Sequence, residues 1–249
     1  MNTFLFKHSA KNANIVTTVS NYSADRIKTN FNLTDKKIEV LPNAVNTKYT
    51  LNHDKTVDKI YLKEKYDLDK FIVYVSRIEP RKNHKKLILA YQELKLWEQG
   101  INLVLIGKES FKDDELNKLI NEVSLLSKGM LVKINDVPDT DLIKFYNAAT
   151  LAIFPSLCEG FGIPPIESGV LETSTICSNS TAMKDFTFFK DRFFDAESKE
   201  SIKRTITKFL NTKDDSNQKD ELFNIAKSIE ETYNWCKTAQ KLKYLILND

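Results

Sequence analysis

From residue 71 onward, short apolar runs alternate with stretches whose apolar residues recur every three or four positions, and this alternation predicts the βα units of a parallel sheet. Phe71 to Ser76, Asn102 to Ile106, Met130 to Ile134, Leu151 to Phe154 and Thr175 to Cys177 read as five strands. Helices are expected between them from Asn83 to about Trp97, with Leu87, Ile88, Tyr91 and Leu94 on one face, then from Asp113 to Leu126, Asp139 to Ala148 and Ile163 to Leu171. Crossovers of this length predict a doubly wound, Rossmann-like α/β sheet, in which ligands sit outside the carboxyl ends of the strands. The segments after Ser76, Gly107 and Pro155 all fall at that edge. Beyond Asp195 the pattern is helical from Ser198 to Leu210, Lys219 to Glu231 and Trp235 to Ile246, with polar joints such as Asn211 to Asp215. These C-terminal helices are expected to pack around the sheet.

The first 70 residues differ in character. Ile15 to Val19 and Ile38 to Leu41 are plausible strands, and Asn21 or Ser23 is placed to cap a helix that reaches Thr29. Residues 46–60, rich in Asn, Lys, Asp and Thr, read as a loop.

Composition narrows the class. With 41% hydrophobic and 29% charged residues in 249, the chain has the make-up of a globular protein with a full core. No apolar run approaches the roughly 18 residues needed to span a bilayer. The stretch from Met1 to His8 lacks the length and the small-residue site of a secretion signal, which predicts a cytoplasmic protein. A net charge of +3 is too small and too evenly spread for a nucleic-acid groove, and leaves at most a peripheral attraction to an anionic membrane face. Cys158, Cys177 and Cys236 lie far apart and form no C-x-x-C pair, so they read as buried or neutral thiols.

The stretch from Cys158 to Glu167 is the most informative in the chain. It follows a buried-strand pattern and opens a helix; Gly160 and Gly162 let the backbone bend, Pro164 and Pro165 suit a first helical turn, and the exposed amides there favour an anion. Glu159 and Glu167 stand at its ends, eight positions apart. Amides for phosphate and carboxylates for hydroxyls describe a sugar bearing phosphate groups, against the alternative of an ordinary turn with a solvated Glu159. After Ser76, the run from Arg77 to Lys86 puts several cations before a helix start. Arg77 and Lys82 read equally well as a grip on a diphosphate and as part of a solvated basic turn; for Arg81, Lys85 and Lys86 the solvated reading is preferred. Asp139-Thr140-Asp141 matches a short metal-diphosphate pattern, yet its position favours Asp139 as a helix N-cap and Asp141 as a charge on the helix dipole. The three histidines stand beside no nucleophile, and the dinucleotide, P-loop and H-E-x-x-H motifs are missing.

Taken in order, Thr18 to Ser23, Leu41 to Asn46, Ser76 to Asn83, Leu105 to Lys108, Pro155 through Glu167, Ser178-Asn179 and Tyr233 to Trp235 resemble the retaining, nucleotide-sugar-dependent glycosyltransferases of group 1 (family 4). That family has two Rossmann-like domains facing each other across a cleft, the GT-B architecture. The resemblance covers about residues 14–246 and implies that residues 46–249 are the donor-binding domain, with residues 1–45 a remnant of the acceptor domain and the hinge. It implies that Arg77 and Lys82 neutralise the donor diphosphate, that Glu159 faces the sugar hydroxyls, and that the backbone of Gly160, Phe161, Gly162 and Ile163 holds sugar or phosphate. Glu167 would bind the ribose; Gly107 and the loop from Asn135 to Pro138, with Val137, would border the donor. The family needs no cofactor and no metal, the donor being a nucleoside-diphosphate sugar.

The chain departs from the family at Ala44, where a hinge glycine is usual, and at Thr173, where a helix-ending glycine is usual, which is expected to loosen packing near the site. Two functions follow from the resemblance. One is transfer of a sugar to a glycan or lipid-linked acceptor in surface polysaccharide synthesis, with the acceptor domain expected from a separate chain, a longer gene product or a partner protein. The other is a nucleotide-sugar-binding module without catalysis of its own, serving a partner chain, or the remnant of a shortened gene. A related sugar phosphorylase is disfavoured by length and by the lack of a pyridoxal-binding lysine.

Overall fold

The computed structural model describes residues 3–51, 53–212 and 216–248. In chain order these form α1 (Thr3–Asn12), β1 (Val16–Thr18), α2 (Asn21–Phe31), β2 (Ile38–Val40), α3 (Lys55–Tyr66), β3 (Lys70–Val75), α4 (His84–Leu94), β4 (Ile101–Ile106), α5 (Asp114–Leu126), β5 (Leu131–Ile134), α6 (Asp139–Ala148), β6 (Leu151–Phe154), α7 (Ile163–Val170), β7 (Thr175–Ser178), β8 (Phe193–Phe194), α8 (Lys199–Leu210), α9 (Ser216–Thr232) and α10 (Trp235–Leu247). Single 3-10 turns punctuate them at Thr47–Tyr49, Pro80–Lys82, Leu96–Gln99, Thr181–Asp185 and Thr187–Arg192. The Lys213 to Asp215 part of the expected polar joint lies outside the described residues.

Six strands, all parallel, make the main sheet in the order β5-β4-β3-β6-β7-β8. Numbered from β3, that is the 3-2-1-4-5-6 order of a doubly wound fold, and it reverses direction between β3 and β6. The sequence reading gave five of these strands. The sixth, β8, has two residues and so displays no alternation to detect. All four residues of β6 and β7 are buried, as expected of central strands covered by helices on both faces.

β1 and β2 pair in parallel with each other, apart from the main sheet. Helix α10 fastens this unit: Lys241 donates to the Val40 carbonyl oxygen and pairs with Glu39 at 2.9 Å, and the Thr238 hydroxyl donates to the Pro42 carbonyl oxygen at 3.0 Å. Ala44, where the family carries glycine, is buried, and the Val45 amide donates to the Tyr233 carbonyl oxygen. α1 buries none of its residues and exposes Phe4, Leu5 and Phe6.

Two local expectations are corrected. The predicted loop at 46–60 contains the whole Thr47–Tyr49 3-10 turn and the first half of α3, a helix disguised by its polar composition. Asp54 caps it, accepting the Thr56 and Val57 amides, and it packs on α6 through buried acids: Asp58 takes Lys144 and Asn147, while Asp141 takes Lys65 and the hydroxyls of Tyr61 and Tyr66. The cap of α2 is Ser20, not Asn21 or Ser23. Of the cysteines, only Cys177 is buried; Cys158 and Cys236 are exposed.

Gly107 closes the carboxyl edge of β4. Its φ is +146°, and a Cβ built there would stand 1.9 Å from the Ser76 carbonyl oxygen at the end of β3. Replacing it with alanine should therefore force the ends of two central strands apart. Gly107→Ala is expected to cost about 2 kcal/mol or more in urea-monitored unfolding, through strain that no side-chain rotation relieves.

Candidate functional site

The site forms where the sheet order reverses, between the segments that leave β3 and β6. From β3 the chain runs through Ser76 and Arg77 to the Pro80–Lys82 turn. Two buried contacts fix that turn from below. The Tyr74 hydroxyl donates to the Lys82 carbonyl oxygen at 2.7 Å, and Asn83, at φ 60°, donates from its side chain to the carbonyl oxygens of Pro155 and Ala196. Asn83 thereby ties the start of α4 to the end of β6, and the Leu157 amide adds a third tie by donating to the Arg81 carbonyl oxygen.

Across the crevice, Glu159 receives two cations. Lys82 Nζ stands 2.5 Å from Oε1, with both side chains 12% exposed, and Arg81 Nη1 stands 2.8 Å from Oε2. Arg81 also bonds the Cys158 carbonyl oxygen and pairs with Glu79 at 2.6 Å. Arg81 is exposed, in line with the solvated reading, yet its planar fork also spans two carboxylates and a carbonyl, which a flexible lysine would not do. Arg77 lies at the same edge and is exposed, and Lys85 pairs with the exposed Glu115 at 3.1 Å. A small cleft beside the Lys82–Glu159 pair is lined by Ser76, Gly162 and Pro164.

Gly162 is the N-cap of α7 and adopts φ +100°, with Met183 and Phe186 packed where a Cβ would go. Among the described residues, the amides of Phe161, Gly162 and Ile163 meet no protein acceptor. They are free donors at the positive end of a helix dipole, the arrangement that binds anions. Phe161 itself is buried, its ring edge-on to Phe186 and Tyr233.

One turn along α7, Glu167 is half-buried near Lys48, Tyr49, Tyr146 and Asp139. Burial raises its carboxyl to about 7; Lys48, the Tyr49 hydroxyl and the Tyr146 hydroxyl act in the opposite direction, while Asp139 adds to the rise. The Tyr146 hydroxyl is fully buried and has no hydrogen bond of good geometry. Asp139 is not the cap of α6; Pro138 holds that position without a side-chain bond, and Asp139 pairs with Lys48 at 2.5 Å from the first turn. With Asp141 buried among Lys65, Tyr61 and Tyr66, the two acids of the D-x-D pattern are held apart in separate ion pairs. Val137 is half-buried in the neighbouring loop, where Lys108 pairs with Asp136 at 2.8 Å. His84 lies beneath the site, driven down to about 4 by burial and by Lys82 and Lys133, so its imidazole is neutral near pH 7.

Of the residues singled out in the sequence, the structure brings Lys82 and Glu159 into contact beside the free amides, sets Glu167 half-buried one turn further along α7, and leaves Arg77, Gly107 and Val137 along the same edge. From the sequence, Lys48, Tyr49 and Tyr146 are assigned no role at the site, Arg81 is expected to be solvated, and Ser20 and Ser23 enter only through the Thr18 to Ser23 segment and Ser23 as a possible helix cap. Arg81 carries a local signal, since it stands beside Lys82 in the same turn; Lys48, Tyr49 and Tyr146 come from distant segments. Thr173 does not loosen the end of α7. The left-handed residue is Glu172, at φ 55°, and the Thr173 hydroxyl donates to the Tyr146 carbonyl oxygen at 2.8 Å.

A six-stranded parallel sheet flanked by helices, with a helix start bearing free amides and a cation cluster at its reversal point, defines a Rossmann-like half of the GT-B kind. The chain belongs to the group 1 glycosyl transferases, whose family model matches residues 58–227. It is 37% identical over 153 residues to the serotype-specific mannosyltransferase WbdA of Escherichia coli, covering 60% of this chain and 18% of that protein. It is 31% identical over 193 residues to the N-acetylgalactosamine-N,N'-diacetylbacillosaminyl-diphospho-undecaprenol 4-alpha-N-acetylgalactosaminyltransferase of Campylobacter jejuni, covering 78% of this chain and 49% of that one. The chain thus spans less than half the length of these relatives. Among solved structures, a glycosyltransferase from Rickettsia africae superposes with a TM-score of 0.83 at 19% identity, over 99% of this chain and 68% of that one. The catalytic domain of starch synthase IV from Arabidopsis thaliana, bound to ADP and acarbose, gives 0.79 at 17%, over 96% and 56%. At such identities the likeness establishes the fold. Among the described residues no helix is long and apolar enough to cross a membrane.

The environment of Glu167 carries a stability cost. Because its carboxyl titrates near 7 in the folded chain and near 4.5 when unfolded, the folded state holds an extra proton between those values. Stability therefore falls as pH rises through that window, and the loss is complete above 7. Glu167→Gln is expected to raise Tm by about 5 °C at pH 8, with the gain shrinking toward pH 4.5, as read by thermal unfolding across pH.

Proposed function

We propose that this chain binds a nucleoside-diphosphate sugar at the carboxyl edge of its main sheet and serves transfer of the hexosyl group, with retention of configuration, to a glycan or lipid-linked acceptor in polysaccharide synthesis. The observation that carries the reading is the Lys82–Glu159 ion pair beside the unpartnered amides at the start of α7. A diphosphate suits Lys82, Arg81, Arg77 and those amides together. As the bond from the anomeric carbon to the diphosphate oxygen breaks, negative charge grows on the leaving group, and fixed cations and amides aimed there favour its departure. Glu159, released from Lys82, then faces the sugar hydroxyls. Glu167 takes the ribose hydroxyls, and Val137 with Gly107 borders the base. No metal or cofactor enters this scheme. Residues 46–249 form the donor-binding unit in this reading, with residues 1–45 belonging to the acceptor side. Mannosyl and N-acetylgalactosaminyl transfer by the named relatives, one of them onto a diphospho-undecaprenol carrier, supports a hexosyl donor and a lipid-linked acceptor.

Titration calorimetry with UDP, GDP, ADP and their hexose conjugates tests the donor site. Saturable binding is expected for one base, weakened about tenfold or more by Lys82→Ala. Glu159→Gln separates the two roles of that carboxylate: by freeing Lys82 it should leave or raise affinity for the bare diphosphate while lowering affinity for the sugar conjugate. Absence of binding to every nucleotide would refute the assignment. Transfer from a radiolabelled donor, with the anomer of the product read by NMR, tests retention.

A further inference from the structure

The opening of α2 is fastened to the donor loop by hydroxyl groups. Ser20 caps α2 by accepting the Ser23 amide hydrogen at 3.0 Å, and its own hydroxyl donates to the Gly160 carbonyl oxygen at 2.6 Å. The Ser23 hydroxyl donates to the same oxygen at 3.1 Å. These serines lie 140 and 137 positions from Gly160 in sequence, so no local turn accounts for the contact. Capping requires only an acceptor, and Asp or Asn would serve as well. The hydroxyl hydrogens are surplus to that task; both oxygens lie within hydrogen-bond reach of one carbonyl of the loop, and they stand 3.0 Å from each other.

The consequence lies in peptide geometry. A trans peptide points its carbonyl and its N–H in opposite directions, so fixing the Gly160 oxygen also fixes the direction of the Phe161 N–H. That amide is one of the unpartnered donors at the start of α7. On the other side of Gly160, the Glu159 amide donates to the Thr181 hydroxyl at 2.8 Å. The loop is thus held at Glu159 by one neighbour and at Gly160 by α2, leaving the Glu159 side chain directed at Lys82 and Arg81.

We propose that Ser20 and Ser23 are positioning residues for the donor loop, two hydroxyls on one carbonyl that hold the Gly160–Phe161 peptide in its donor-binding orientation. This rests on the donor reading of the loop. Neither serine touches the donor; both act through Gly160, and they couple the β1–β2 unit to the site.

Hydrogen exchange on the full chain separates positioning from folding. Ser20→Asp keeps a cap acceptor but has no hydrogen for Gly160, Ser23→Ala removes the second donor, and Ser20→Thr keeps the hydroxyl. In the Ser20→Asp/Ser23→Ala double variant, amides across residues 159–163 are expected to exchange about tenfold faster, while α2 keeps its protection and Ser20→Thr behaves as the parent. Calorimetry should show affinity for the preferred nucleoside diphosphate falling about tenfold in the double variant. Unchanged loop protection, protection lost equally from α2, or unchanged affinity despite a loosened loop would each overturn the proposal. A loosened loop in a chain whose parent binds none of UDP, GDP and ADP would leave the fastening in place and remove the donor reading instead.

Discussion

Everything at the site depends on β3 and β6 being hydrogen-bonded neighbours whose following segments part in different directions. That reversal opens the crevice, and the Lys82–Glu159 ion pair closes it across the gap. The pair is nearly buried, and a buried ion pair repays its desolvation only when geometry is good and the remaining atoms are satisfied. Here the second oxygen of Glu159 is taken by Arg81, and the backbone beneath is held by Tyr74 and Asn83. The rigid layer below the cations matters as much as the cations, because it fixes the turn that carries them.

Much of the fold was legible in the sequence, for a definite reason. Central strands buried on both faces must be continuously apolar, and Leu151 to Phe154 or Phe71 to Val75 have few other readings. α3 escaped because its helical signal is spread over a surface stretch where Val57 and Ile60 remain exposed, and of its residues only Leu62 and Asp58 are fully buried. β8 escaped because two residues have no period.

The site was legible where chemistry follows a strand directly. Lys82 and Glu159 are each a few residues beyond a strand end, so topology alone brings them to one edge. Lys48, Tyr49 and Tyr146 surround Glu167 from segments far away in the chain, and no local pattern reports such a meeting. The substituted glycines teach a related lesson. Thr173 is tolerated because the left-handed turn falls on Glu172, one residue earlier than the family spacing led one to expect, and the threonine hydroxyl then finds a carbonyl.

The neutralised state of the cation cluster has a consequence for selectivity. Arg81 and Lys82 are already matched by Glu79 and Glu159, so these two cations exert little net pull on a stray anion. A ligand that took the cations while offering nothing to the carboxylate would strand a charge in a poorly hydrated place. In the proposed donor reading, a molecule carrying both a polyanionic end and a hydroxyl-rich end satisfies the cations and the carboxylate together, so the crevice works as a coincidence detector.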